Sequence, residues 1–155
     1  MATTAARDVI QENADALAAL ILSVTEVTGQ PLYVYDVEDV KFEQGKQGFD
    51  LPAVTILYNS MTLAGNDKRG TAADLIFDVY LIAGRDRTER QDSEAGVVKS
   101  AATQGLSAIR SVLLADCTKA PSGRAWEFMR ESLVGIDEDW IVYLQRWRTR
   151  VMTIC

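Results

Sequence analysis

Residues Ala73 to Ala83 alternate with period two. Leu75, Phe77, Val79 and Leu81 are all apolar, whereas Asp74, Ile76, Asp78, Tyr80 and Ile82 are mixed. Successive side chains of a strand point to opposite faces, so this predicts a central strand with one fully covered face. The other face must tolerate charge. Such a sheet needs a second layer on one side only, and two amphipathic segments can supply it. Ala6, Val9, Ile10, Leu17, Leu20, Ile21 and Val24 recur at three- and four-residue steps, which predicts a helix over 4–25. Thr3 or Thr4 is its expected cap, and Gly29 and Pro31 end it. Val98, Ala102, Leu106, Ile109 and Leu113 predict a second helix, from Asp92 or Ser93 to about Leu114.

The remaining pattern is mostly extended. Leu32 to Tyr35 and Ala53 to Tyr58 read as strands. Asp36 to Asp50 between them, with five acids, two lysines, Gly45 and Gly48, is expected to be an exposed loop or a weak hairpin. Asn59 to Thr71 contains Gly65-Asn66-Asp67 and Gly70 and reads as a turn-rich connection. Gly84 to Gln91 and Asp116 to Arg124 are expected loops. Ala125 to Val134 and Asp139 to about Ile154 are two closing strands joined by a turn over Gly135 to Glu138. The order α-β-β-β-α-β-β predicts an α+β two-layer sandwich over 1–155, one domain, with a mostly antiparallel mixed sheet and both helices on one face.

The closing hairpin permits a register. Pairs summing to about 275 set Phe128 opposite Trp147, Glu127 opposite Arg148, Met129 opposite Arg146 and Glu131 opposite Leu144. One face then gathers Trp126, Phe128, Ile141, Tyr143 and Trp147, and the other gathers Glu127, Glu131, Arg146 and Arg148. Asp74 and Asp78 are expected to join the charged side. The last strand, roughly 16 residues and about 50 Å when extended, also outruns its partner. Unpaired strand backbone invites a partner, so Arg150, Met152 and Ile154, together with the charged-face residues Arg146, Arg148, Glu127, Glu131, Asp74 and Asp78, are expected at a contact with another subunit or partner.

Composition narrows the chemistry. There is no histidine among the 155 residues, which removes Ser-His-Asp and Cys-His catalysis and every imidazole metal ligand. Two cysteines, Cys117 and Cys155, fall short of a structural zinc site or a disulfide framework. The net charge of -6 lies entirely in residues 1–58, with 3 basic and 9 acidic side chains; residues 59–155 hold 13 of each. A chain of this balance is a poor candidate for gripping a phosphate backbone. No secretory signal, sequon or transmembrane run is read, and the expected setting is cytosolic with reduced thiols.

The remaining motifs have plain explanations. Gly45-Lys46-Gln47-Gly48 lacks the Ser/Thr and helix context of a phosphate loop. Asp36, Glu38 and Asp39 offer carboxylates to a hard cation but not the spacing of a calcium loop, so they read as a solvated acidic flank. Arg85, Arg87 and Arg90 alternate with Asp86 and Glu89, which neutralises much of their field and favours a protein contact or a solvated loop over DNA. Trp126 and Trp147 read as core of the hairpin rather than a base-stacking platform. No cofactor, metal or membrane partner is expected.

The element order and several local patterns resemble the phage tail-terminator (tail-completion) family over roughly residues 5–152. The resemblance rests on the first amphipathic helix, Leu51-Pro52-Ala53-Val54 opening a strand, and the strand Leu75 to Ala83 followed by a charged loop. It continues through the helix Ser93 to Leu114, Arg124-Ala125-Trp126-Glu127-Phe128, Glu131-Ser132-Leu133 and the closing strand Val142 to Val151. The resemblance implies a non-catalytic protein of the virion, assembled in the host cytoplasm, that forms a ring, usually a hexamer, on the head-proximal end of the tail tube. Its implied partners are copies of itself, the tail tube protein, the head–tail connector and, in contractile tails, the sheath protein. DNA would pass through the ring without specific binding. Three alternatives remain open at this stage: a head-completion or connector protein or another tail component, a small enzyme using carboxylates such as Glu127 or Asp78, and a ligand-binding regulatory domain.

Overall fold

The computed structural model describes residues 8–40, 42, 43, 46, 47, 49–67, 70–84, 101–115, 118–137 and 139–153. Helix α1 spans Val9–Thr28. Its N-cap is Asp8, whose carboxylate accepts the Gln11 N–H at 3.0 Å. The expected caps, Thr3 and Thr4, lie outside the described residues. Gly29 ends the helix in the left-handed region at φ 75°, as expected of a residue without Cβ, and its N–H donates to the Thr25 carbonyl. Asn13, Leu17, Ile21 and Val24 form the buried stripe. Helix α2 is described over Ala101–Leu113, so the start expected at Asp92 or Ser93 also lies outside the described residues.

Five strands make the main sheet: β1 (Tyr33–Val34), β4 (Ala53–Asp67), β5 (Gly70–Gly84), β6 (Glu127–Ile136) and β7 (Trp140–Thr153). Their spatial order is β1-β4-β5-β7-β6, with β1 parallel to β4 and every other pair antiparallel. Between β1 and β4 lie a 3₁₀ turn, Val37–Asp39, and a two-stranded ribbon of β2 (Phe42–Glu43) and β3 (Lys46–Gln47). The 36–50 segment is therefore the weak hairpin, not a plain loop. Both helices cover one face, and the fold is the expected two-layer α+β sandwich. Among the described residues, no helix is long and apolar enough to cross a membrane.

The main core lies between helices and sheet. Leu17, Ile21 and Val24 of α1 and Leu106, Ile109 and Leu113 of α2 meet Val54, Leu75, Phe77, Val79, Leu81 and Trp147. The alternation in β5 holds without exception. Phe77 touches Trp126 edge-on at a centroid distance of 6.0 Å, and Phe128 touches Trp147 at 5.3 Å. Gly105 lets α2 approach the sheet, because a Cβ there would sit 2.9 Å from Leu81 Cδ2 and 3.4 Å from Leu32 Cδ2. Leu81 is fully buried and has little room to yield. Gly105→Val is expected to lower the unfolding free energy by about 1–3 kcal/mol in urea titration at fixed protein concentration, through overpacking.

Two expectations are corrected by the long β4–β5 hairpin. Asn59 to Thr71 is not a connection: the strands run out to Asp67 and back from Gly70, and bulges at Asn59 and Ala64 absorb the extra residues. This extension also covers the closing strand. Every residue of β7, from Trp140 opposite Gly84 to Thr153 opposite Thr71, pairs with β5. The segment from Arg150 onward is thus not bare on that side. On its other side β6 begins only at Glu127, opposite Arg148.

The face away from the helices also differs from expectation. Phe49, Ala53 and Ile82 are buried there, with Tyr35, Val40, Leu51 and Val142 packed around them. Phe49 meets Tyr35 edge-on at 6.0 Å, and the Asp50 N–H donates to Tyr35 Oη at 3.0 Å. The acidic 36–50 segment therefore places a small apolar cap over one end of the outer face.

Candidate functional site

Beyond that cap, the outer face is built of ion pairs set by strand register. Asp78 lies directly opposite Arg146, and Asp74 directly opposite Arg150. Arg146 donates to Asp78 through Nε at 2.8 Å and Nη2 at 3.3 Å, and Asn59 Nδ2 adds a third bond at 2.8 Å. Arg150 donates to Asp74 through Nε at 3.0 Å and Nη2 at 3.4 Å. Arg148 lies between them, opposite Ile76 on β5, and so turns to β6, where its Nε donates to Glu127 at 2.8 Å. The Glu127–Arg148 and Asp78–Arg146 pairings follow the sequence expectation; Asp74 joins the charged side as expected, but its pairing with Arg150 does not follow from the sequence, which leaves Arg150 beyond the end of its partner strand.

Hydrogen bonding and charge from Asp78 raise the pKa of the Arg146 guanidinium, and Asp74 does the same for Arg150. A raised folded-state pKa on a base contributes stability below its unfolded value that is lost only as pH rises through the folded one. For arginine that window lies above the physiological range, so these cations give the fold no pH dependence near neutrality.

Glu131 is not part of this face. Met129 is an extra residue in β6, so Arg130, not Met129, stands opposite Arg146, and Glu131 stands opposite Gln145 rather than Leu144. One inserted residue turns the following side chains to the other face of the sheet. Glu131 therefore points to the helix side. There it pairs with Arg110 of α2 and accepts from Gln145 Nε2 at 2.8 Å. Gln145 is fully buried; it also donates to the Leu106 carbonyl at 3.0 Å and accepts from Trp147 Nε1 at 3.2 Å. Sequence reasoning missed both Gln145 and Arg110. The available signal was a polar residue at an inward position between Tyr143 and Trp147.

The two edges of the sheet are open among the described residues. On β6, Leu133, Val134 and Ile136 are each more than half exposed. Arg130 reaches only Ser132 Oγ, at 3.4 Å, and has no carboxylate partner among the described residues. At the other edge, Tyr33 and Val37 are exposed apolar side chains beside exposed Asp36, Glu38 and Asp39. No group of three or more His, Cys, Asp or Glu among the described residues, Asp36, Glu38 and Asp39 included, is placed to hold a metal ion.

A half-open cleft of about 270 Å³ lies where the start of α1 meets the end of β7. Asn13, Arg124, Arg150 and Met152 line it. Asn13 is buried, with Nδ2 on the Val9 carbonyl at 2.8 Å and Oδ1 without a partner among the described residues. Arg150 and Met152 are thus brought together with the first helix, while Arg85, Arg87, Arg90, Ile154, Cys117 and Cys155 lie outside the described residues. Compared with models of known protein families and with curated protein sequences, the chain matches none.

Proposed function

We propose that this chain is a structural subunit of a phage tail, forming a ring, usually of six, on the head-proximal end of the tail tube. The observation that carries the reading is an outer sheet face on which Asp74, Asp78 and Glu127 are each matched by an arginine, bounded by two sheet edges that are open among the described residues. Asp78, Asp74 and Glu127 are each held by an arginine, which suits a rigid scaffold better than acid–base chemistry. Among the described residues, the exposed edges leave two surfaces open to neighbours.

In this role the ring stops further addition of tube protein and presents a surface to the head connector, and in a contractile tail it also meets the sheath. DNA passes along its axis. The net charge of -6 in residues 1–58 lowers adhesion of DNA to a nearby surface through like-charge repulsion. Class-averaged electron micrographs of the purified chain, with its mass by light scattering, test the reading. The expected result is a closed ring with a central opening. A monomer at every concentration examined overturns it. Antibody label at the head end of the tail is expected in virions, and label confined to the capsid would overturn the tail assignment.

A further inference from the structure

We propose that the two open edges are the two halves of one head-to-tail contact between copies of this chain. In it, Leu133, Val134 and Ile136 on β6 of one copy seat against the Tyr33–Asp39 edge of the next, and Arg130 meets Asp36, Glu38 and Asp39. The inference rests on the ring reading and names the surfaces that close the ring.

Four observations lead here. First, both edges expose apolar side chains, and an outermost strand with more than half of Leu133, Val134 and Ile136 in solvent is a surface that association would cover.

Second, the edges are at one height. Gly135, Val142, Ile82, Ala53 and Tyr33 lie opposite one another across the five strands, and so do Leu133, Tyr143, Leu81, Val54 and Val34. The apolar part of β6 and the strand β1 are thus the two ends of the same rows. A neighbour placed by pure rotation about an axis along the strands meets like height with like height.

Third, the charges complement each other. Among the described residues Arg130 has no carboxylate partner, and it stands directly opposite Arg146, whose charge Asp78 already occupies. An acid from outside the copy would relieve that juxtaposition. The acidic flank has the opposite imbalance, because residues 1–58 hold 9 acidic and only 3 basic side chains. Chain direction matches as well. β1 runs parallel to β4, so the turn after it heads toward the level of Leu57, which is opposite Asp78, the level of Arg146 and Arg130.

Fourth, the charged parts of the two surfaces are on opposite edges of the sheet and on the same side of it, while Leu133 and Ile136, opposite Tyr143 and Ile141, extend the edge toward the helix side. Val40, just past the acidic turn, packs on the outer-face cluster, and Arg130 faces outward with Arg146. Different surfaces meeting head to tail generate a ring when the rotation closes. A contact of β6 with β6 would instead bring two copies of Arg130 into one interface and leave both acidic turns unmatched.

The test is charge reversal and restoration, read as assembly mass by native mass spectrometry and light scattering, with circular dichroism to verify folding. The variants are Arg130→Glu, the pair Glu38→Lys with Asp39→Lys, and all three changes together; Val134→Lys probes the apolar part. Arg130→Glu, the Glu38→Lys with Asp39→Lys pair, and Val134→Lys should each weaken association about tenfold or more. The combined charge variant, and an equimolar mixture of the two charge-reversed chains, should regain the mass of the unaltered ring. Rings unaffected by either reversal would overturn this contact while leaving the ring reading in place. Loss of assembly on Arg130→Glu but not on reversal of Glu38 and Asp39 would overturn the head-to-tail arrangement. A monomeric unaltered chain would overturn the ring reading itself.

Discussion

Trp147→Ala is expected to lower the unfolding free energy by about 4–5 kcal/mol, near the upper end for loss of a buried aromatic side chain. Trp147 has no exposed surface, packs edge-on against Phe128, and lies in the strand that joins β5 to β6. Its removal leaves a cavity in the core, and the rows of paired backbone on both sides of β7 limit how far the neighbours can collapse into it. A second loss adds to the cavity. Gln145 Oε1 accepts from Trp147 Nε1 and is buried, so truncation leaves an acceptor without a partner. Trp147→Phe separates the two contributions, since it keeps an aromatic ring and removes the N–H. It should cost about 1–3 kcal/mol. Urea titrations of the three proteins at one concentration measure both; equal midpoints for Trp147→Ala and the unaltered chain would contradict the packing argument.

Arg146→Leu is expected to cost about 2–4 kcal/mol. The magnitude is that of breaking an ion pair by removing one partner, reduced because the Arg146 side chain is 26% exposed while the Asp78 side chain is only 7% exposed. The variant leaves the Asp78 carboxylate almost without water and holding one bond, from Asn59. The penalty belongs to the stranded charge rather than to the lost attraction. Adding Asp78→Asn should therefore recover part of the stability, bringing the double variant within about 1–2 kcal/mol of the unaltered chain. A double variant no more stable than Arg146→Leu alone would show that the cost lies in lost packing of the arginine stem.

These two residues also mark how far the chain could be read in advance. Trp147 and its partner Phe128 follow from alternation near the start of β6, because side chains of directly opposed residues share a face. Asp78 opposite Arg146 and Glu127 opposite Arg148 follow in the same way. Glu131 does not. It lies only a few residues further along β6, beyond the bulge at Met129, and the bulge turns it from the charged face to Gln145 and Arg110. Nothing in the pattern of Met129-Arg130-Glu131 marks one residue as the inserted one. The choice is made by which side chains fit against α2, a contact distant in sequence.

The same reason explains the closing strand. Its excess length was legible, but its partner was not, because the residues that cover it, Thr71 to Leu75, sit next to a glycine-rich stretch with the composition of a turn. Pairing on both sides outweighs a weak local preference, since strand propensity depends on neighbours across the sheet.

The sequence by itself determined the class of fold, the helix-covered face of β5, the charged character of the outer face and the exclusion of histidine chemistry, because periodicity and residue type are local properties. The tertiary structure alone decided which strands are edges, that Arg130 meets no acid among the described residues, and that the apolar part of β6 lies level with β1. Those are relations between residues some 100 positions apart, and only the packing of the whole sheet places them.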